Sequence, residues 1–398
     1  GRRSQASGDY LQRGRFLAIS EFGPRSLIYH EGSRYRVSKV DIPVVSPTAA
    51  DAENIITETA KRCEDCGYLH PREAAAADLC ERCGAELPIP MRDLFRLQNV
   101  STRRVDRINS DEEERQRQGF EVISGVRFAQ RERRESRQQA VIDVSGDGAA
   151  SPQRWGQLTF GPTATIWRLN LGWRRRKDKN KHGFVLDLDR GVWAKNEEAD
   201  EDDSGQGPDD RVGKQVRRVI PYVEDSRNVL LVEPDERLSA EAMASLQSAL
   251  SRAIEMTFQL EESELAVEPL PSTDDRALLL FYESAEGGAG VLRQLVDDEG
   301  AFARVVRTAL EICHVDPDSA LTGGPQDLPG TDCAVACYEC LLSYSNQRDH
   351  QLLERQKATR FLAQLLHATV RPLPDSPEAP HAVADAAAPP EGLAAAAA

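Results

Sequence analysis

The sequence contains no run of 18 or more apolar residues, which excludes a membrane-spanning helix. It has no GxxxxGKS or GxxxxGKT loop, and Gly213-Lys214-Gln215 does not make one. No DEAD or DEAH tetrapeptide and no GxSxG elbow occurs, so neither an ATPase motor nor a serine hydrolase is encoded in a recognisable form. The acidic residues and seven histidines form no catalytic motif. No apolar segment follows Gly1-Arg2-Arg3-Ser4, so no secretory signal is expected and a cytoplasmic location is. Met is not the first residue, and the chain is expected to be a piece of a longer protein. Cysteine is absent from Cys83 to Cys313, and Lys is absent from residues 91–145, a stretch rich in Arg.

The 398 residues suffice for two or three cores and carry a formal net charge of -15. That average conceals a division. Residues 1–190 hold 33 basic and 27 acidic side chains, a net of +6. Residues 191–398 hold 17 basic and 38 acidic, a net of -21. Such asymmetry points to separate tasks for the two halves, and the basic half keeps nucleic acid open as a partner.

The eight cysteines fall into two sets of four. With no export signal in a chain this large, metal binding explains them better than a disulfide framework. The first set is Cys63-Glu-Asp-Cys66-Gly67 and Cys80-Glu-Arg-Cys83-Gly84, with thirteen residues between the pairs. A two-residue gap lets both thiolates of a pair bend onto one ion. The following glycine supplies the positive φ that such a knuckle requires. Four thiolates make a closed, structural zinc site. His70, between the pairs, is the alternative ligand.

The second set is Cys333-Ala-Val-Ala-Cys337-Tyr-Glu-Cys340 with Cys313 upstream, across a loop marked by Gly323-Gly324-Pro325 and Pro329-Gly330. Cys313 is the expected fourth ligand, with His314 and His350 as weaker alternatives. Zinc is expected here too, although an iron–sulfur cluster also takes four cysteines.

Along the chain, residues 1–15 read as a basic linker. Phe16–Ile19, Ser26–Tyr29 and Tyr35–Val40 read as short β runs, with further strands at 120–128, 140–144 and 155–173. A short helix is expected over Asp111–Arg117 behind Ser110. Residues 191–214, with Glu197, Glu198, Asp200, Glu201, Asp202 and Asp203, read as a disordered acidic loop. After Val219 the pattern becomes α/β. Asn228–Val232 and Ala277–Tyr282 are buried strands. Ser239 caps a helix with the stripe Met243, Leu246, Leu250, Ile254 and Phe258. Helices follow at 288–297, 301–313 and 352–366, and the Ala/Pro-rich tail 371–398 reads as disordered.

Two features bear on ligands. Glu283-Ser-Ala-Glu286-Gly287-Gly288-Ala289-Gly290 joins a strand to a helix, the setting of a phosphate cradle. It lacks the P-loop lysine and its glutamates repel anions, so a tight packed turn is the preferred reading. The basic runs Arg174-Arg175-Arg176-Lys177 and Arg131-Glu132-Arg133-Arg134 are candidates for phosphate contact, with Trp167 or Trp173 available for stacking.

Tyr282-Glu283, Glu286-Gly287-Gly288-Ala289-Gly290-Val291-Leu292, Cys333, Cys337, Cys340-Leu341-Leu342-Ser343-Tyr344, Asn346-Gln347 and Leu353-Glu354-Arg355 resemble the MrfA-like zinc-binding domain. That family lies at the C-terminus of bacterial DEAD/DEAH-box helicases and is related to the DrmB-type component of DISARM phage defence. The likeness runs over about residues 16–367, including Ile19-Ser20-Glu21-Phe22-Gly23-Pro24 and the ribbon, but both motor domains are absent. It implies that the family's four cysteines map onto Cys313, Cys333, Cys337 and Cys340.

The expectation is therefore an α+β chain. A small β-rich region, 16–190, carries an inserted four-cysteine zinc ribbon at 60–88. An α/β zinc-binding domain, 215–370, carries the second four-cysteine site. The implied function is a non-catalytic accessory module of a DNA helicase in DNA repair or phage defence, with two structural Zn2+ ions and DNA and the motor as partners. The alternatives are a protein–protein assembly subunit without nucleic-acid contact, and an enzyme using the second metal if Cys313 leaves a coordination position open.

Overall fold

A computed structural model describes residues 10–42, 55–107, 119–131, 134–145, 151–194, 215–285, 287–322 and 324–373. The readings placed on the basic start at 1–9, the helix at 111–117, the acidic segment 195–214 and the tail from 374 lie outside these residues. Helices and strands are mixed, with sheet predominant.

Two long strands organise the molecule, Gln153–Trp173 and Val216–Pro234. They pair antiparallel from Gly156 opposite Pro234 to Leu169 opposite Tyr222, with an irregularity between Gly161 and Ala164. At one end they collect the strands Gln138–Val144, Ala368–Pro372, Arg276–Glu283 and Leu265–Pro271. At the other end come Phe120–Arg127, Met91–Arg96 and Phe184–Asp187, leading out to Val192–Trp193, Ser33–Val40 and Leu27–His30. Glu58–Arg62 with Leu69–Pro71 pairs onto Met91–Arg96, and Val100–Arg107 pairs onto Ser33–Val40, so that one 15-stranded sheet results among the described residues, with both charge halves of the sequence contributing to it.

Among the described residues the α-helices are α1 (Arg15–Glu21), α2 (Ala240–Phe258), α3 (Val291–Asp297), α4 (Ala301–Ile312), α5 (Pro317–Thr322) and α6 (Arg355–Leu365). Helix α2 starts as expected, with the Ser239 Oγ accepting from the Ala242 N–H at 3.2 Å. Its Met243, Leu246, Leu250 and Ile254 are buried. It ends where Gln259 turns left-handed at φ 55.

Strand alternation explains the continuous apolar runs. Leu230, Val232, Leu279 and Phe281 point to the helices α2, α3, α4 and α6. Val229, Leu231, Leu278, Leu280 and Tyr282 point to the opposite face, where the Cys63–Cys83 ribbon lies. Both faces are covered, so every position of the runs Val229–Val232 and Leu278–Tyr282 is apolar. The ribbon thus roofs the sheet of the C-terminal α/β layer.

Phe16–Ile19 corrects the β reading. These residues form α1, in which Ile19 is buried and Phe16 packs edge-on to Tyr282 at 5.7 Å. Their i, i+3 spacing puts both side chains on one helical face, which docks on the sheet.

Candidate metal centres and basic loops

The first cluster is assembled by two copies of one backbone knuckle. The Gly67 N–H donates to the Cys63 carbonyl at 3.0 Å and the Gly84 N–H to the Cys80 carbonyl at 2.9 Å. Both glycines have positive φ, 72° and 77°, as the spacing requires. The Cys63 and Cys80 N–H groups close each turn on Tyr68 and Ala85.

The sulfurs of Cys63 and Cys83 lie 3.5 Å apart, and those of Cys66 and Cys80 3.7 Å. Tetrahedral thiolates at about 2.3 Å from zinc are spaced by about 3.8 Å. All four cysteines are free of disulfides and their sulfurs fall within 4.8 Å of one another, so the donor set fits Zn2+. The contact between the Cys66 and Cys80 thiols pushes Cys66 up and Cys80 down.

Two buried arginines balance this concentration of negative charge. Arg62 is pressed down to about 10 by burial, against the opposing pull of Cys66 and Cys63. Its guanidinium donates to the carbonyls of Ser124 and Pro271. Arg82, with 6% of its side chain exposed, pairs with Glu233 at 2.5 Å. Burial works against its charge, and Glu233 and Cys66 together outweigh burial. His70 is fully buried beside the cluster, edge-on to Tyr68 at 5.4 Å, and is not one of the four grouped donors.

The second cluster differs from the expected set in one member. The donors that converge are His314, Cys333, Cys337 and Cys340. Cys333 and Cys337 lie 3.8 Å and 3.6 Å from the Cys340 sulfur, and His314 Nε2 lies 3.2 Å from the Cys337 sulfur. Burial pushes against the Cys337 thiolate, but the contact with His314 holds that thiol down at about 7. Three cysteines and one histidine make a closed zinc set with no vacant protein position.

Cys313 caps α4, and its side chain is buried in the apolar core with Ile312 and Val315. The next residue, His314, takes φ 59, which turns its ring out of the helix line and into the cluster. Residue spacing did not distinguish the neighbours, because one left-handed residue decides which side chain arrives.

The sequence reading also missed what holds this knuckle in place. Ser245, Ser248 and Arg252 lie on one face of α2, at i, i+3 and i+7. Ser245 Oγ accepts from the Glu354 N–H at 2.8 Å, and Ser248 Oγ donates to the Leu341 carbonyl at 2.7 Å. Arg252 donates to the carbonyls of Tyr338 and Cys340. Arg355, with 4% of its side chain exposed, donates to the Cys333 carbonyl at 2.7 Å and the Cys313 carbonyl at 3.2 Å, and grips Asp327 with two bonds of 2.6 Å. A polar stripe in helical register was the signal available in the sequence. Asn346 folds the loop after Cys340 by bonding the Leu341 carbonyl and the Ser343 N–H, both at 2.8 Å.

The Glu283–Gly290 loop is the packed turn. The Glu283 carboxylate, 1% exposed as a residue, accepts from the Leu292 N–H at 3.1 Å and from Asn228 Nδ2 at 3.0 Å. It occupies the helix N-terminal position that a bound anion would need.

The basic runs separate on inspection. Arg174, Arg175 and Lys177 are exposed. Arg176 is 8% exposed on its side chain, pairs with Glu121 at 2.6 Å and donates to the Trp173 and Lys179 carbonyls, so it ties the loop together. Trp173 packs on Phe120 at 4.4 Å, and Trp167 stacks on Tyr222 at 4.5 Å. Both indoles are buried and neither offers a face for a base. Arg131 and Arg134 are exposed and are partners in a short antiparallel strand pair, while Arg133 lies outside the described residues.

The site therefore defines a sheet fastened on one face by a four-cysteine ribbon and on the other by a Cys3His knuckle held between α2 and α6. Residues 246–341, which contain the second cluster, match the family model of the MrfA Zn-binding domain. Among solved structures, the crystal structure of the DUF1998 helicase MrfA bound to DNA is similar over 88% of this chain and 31% of that chain, at 9% identity and a TM-score of 0.38. The chain spans about a third of that helicase's length. No curated protein matches. No described helix is long and apolar enough to cross a membrane.

Proposed function

We propose that the chain is a zinc-stapled accessory module of a DNA helicase, acting in the cytoplasm in DNA repair or in defence against foreign DNA. In this reading its basic half contacts nucleic acid. The observation that carries it is the pair of closed donor sets, each backed by arginines and each pinning a loop to one face of the shared sheet. Closed sets of this kind hold structure and leave no coordination position for substrate. The match of residues 246–341 to the MrfA Zn-binding domain supports the helicase association.

The nucleic-acid contact rests on Arg174, Arg175 and Lys177, which project from one loop of the +6 half. The test is binding of a labelled oligonucleotide to the full chain in rising salt. Affinity should fall as salt rises. The triple substitution Arg174→Glu, Arg175→Glu, Lys177→Glu should weaken binding at least about tenfold, since each phosphate contact adds to the same counterion-release term. Stable capture of a helicase motor with no oligonucleotide binding at low salt would instead make the chain a protein–protein assembly subunit.

A further inference from the structure

The loop bearing Arg174 and the segment just beyond the second metal cluster meet across a cleft of about 990 Å³. Arg174 lines it. Arg348, from the turn Gln347–Asp349 directly after the Asn346 lock, lines the same cleft. Both residues are exposed, and neither forms an ion pair within 4 Å among the described residues. They are close enough for Arg348 to add to burial in pressing the Arg174 pKa down.

The carboxylates around them are largely committed elsewhere. Glu121 is held by Arg176, Glu268 by Arg168, and Asp349 by Arg276 at 2.7 Å. Glu121 still attracts Arg174, as does Asp274 on the rim, and each does so more weakly than Arg348 repels it. Two neighbouring cations raise the local energy, and an anion placed between them lowers it.

A second cleft, of about 650 Å³, adjoins the first, and Asp349 lines both. It is lined by Tyr338, 65% exposed, and Tyr344, 86% exposed, together with Ser343, Ser345 and Asn346. Glu255 and Glu262 line the same cleft, so phosphate is unwelcome there while neutral planar bases are not. Cations in one cleft and open aromatic faces in the next are the two elements of single-strand recognition. A duplex keeps its bases stacked and offers nothing to the tyrosines.

We propose that the two clefts form one track for single-stranded nucleic acid, with a backbone phosphate between Arg174 and Arg348 and bases on Tyr338 and Tyr344. The proposal rests on the nucleic-acid reading above and assigns its strand type and its path past the Cys3His knuckle.

The test uses the zinc-loaded full chain and fluorescence anisotropy with a labelled single-stranded oligodeoxynucleotide and its duplex. The single strand should bind more tightly than the duplex. Arg348→Glu should weaken it at least about tenfold and lower the salt slope by about 0.7, the value of one phosphate on a single strand. Arg348→Lys should retain most of the affinity. Tyr344→Ala should weaken binding roughly tenfold with the salt slope unchanged, as loss of one stacked base requires. Zinc content and unfolding temperature equal to wild type show that each variant is folded. If the wild-type chain binds no oligonucleotide, the nucleic-acid reading and the track both fall. If it binds the single strand and the Arg348→Glu and Tyr344→Ala variants bind as wild type does, the track alone falls. Equal or tighter binding of the duplex overturns the single-strand assignment.

Discussion

Replacing Gly288 by Ala tests the turn that anchors α3. Gly288 has φ 69, and a Cβ built there would lie 1.9 Å from Glu283 Oε2 and 2.5 Å from Asn228 Nδ2. A left-handed Ala costs about 1–2 kcal/mol in backbone strain. The collision also forces out a buried carboxylate that accepts from Leu292 N–H and Asn228, a loss of about 1.5–3 kcal/mol for charge-assisted bonds. The sum is about 2.5–5 kcal/mol. Gly287 is the internal control. Its φ is 83, yet a Cβ there meets nothing within 4 Å, so Gly287→Ala pays the strain alone, about 1–2 kcal/mol. Denaturant unfolding of the two variants, read by midpoint at constant slope, measures the difference. Equal losses within about 0.5 kcal/mol would refute the claim that Glu283 occupies the α3 N-terminus as a fixed internal anion.

Other substitutions reach other parts of the account. Arg355→Ala removes the donors to the Cys333 and Cys313 carbonyls, worth about 1–3 kcal/mol each when left unsatisfied, while the half-exposed Asp327 is rescued by water. A chelator competition should then strip the second zinc at least about tenfold faster and leave the ribbon zinc unchanged, and equal release rates would contradict the clamp. Glu255 is pushed from its ordinary 4.5 up to about 7, by burial first and by Glu262 second. A carboxyl raised in the folded state favours folding at low pH, and that contribution is lost as pH rises from about 4.5 to 7. Glu255→Gln should therefore raise the unfolding temperature at pH 8 and give no gain at pH 4. An effect of equal size at both values would show that Glu255 is not strained by its charge.

What was legible in the sequence was local. The ribbon's paired CxxCG units specify their own knuckles, because the glycine and both cysteines sit within one turn. Helix α2 was legible from Ser239 and the stripe Met243 to Ile254, since cap and period are both local. Partnerships between distant segments were not. The Val229–Val232 run shows that both faces are buried, but nothing in it says that one face meets the ribbon 150 residues upstream. Arg176 looked like its neighbours until Glu121 claimed it, and Trp167 and Trp173 looked available until Tyr222 and Phe120 covered them. Phe16–Ile19 is too short for its period to separate helix from strand. His314 displaced Cys313 through a single backbone dihedral, which composition and spacing do not encode.

Metal stoichiometry decides the central claim, that two closed zinc sites staple this sheet and that His314 completes the second. The purified chain should carry two zinc ions, the Cys313→Ser variant should keep both, and the His314→Ala variant should keep one. Loss of a zinc from Cys313→Ser with two retained by His314→Ala would contradict it.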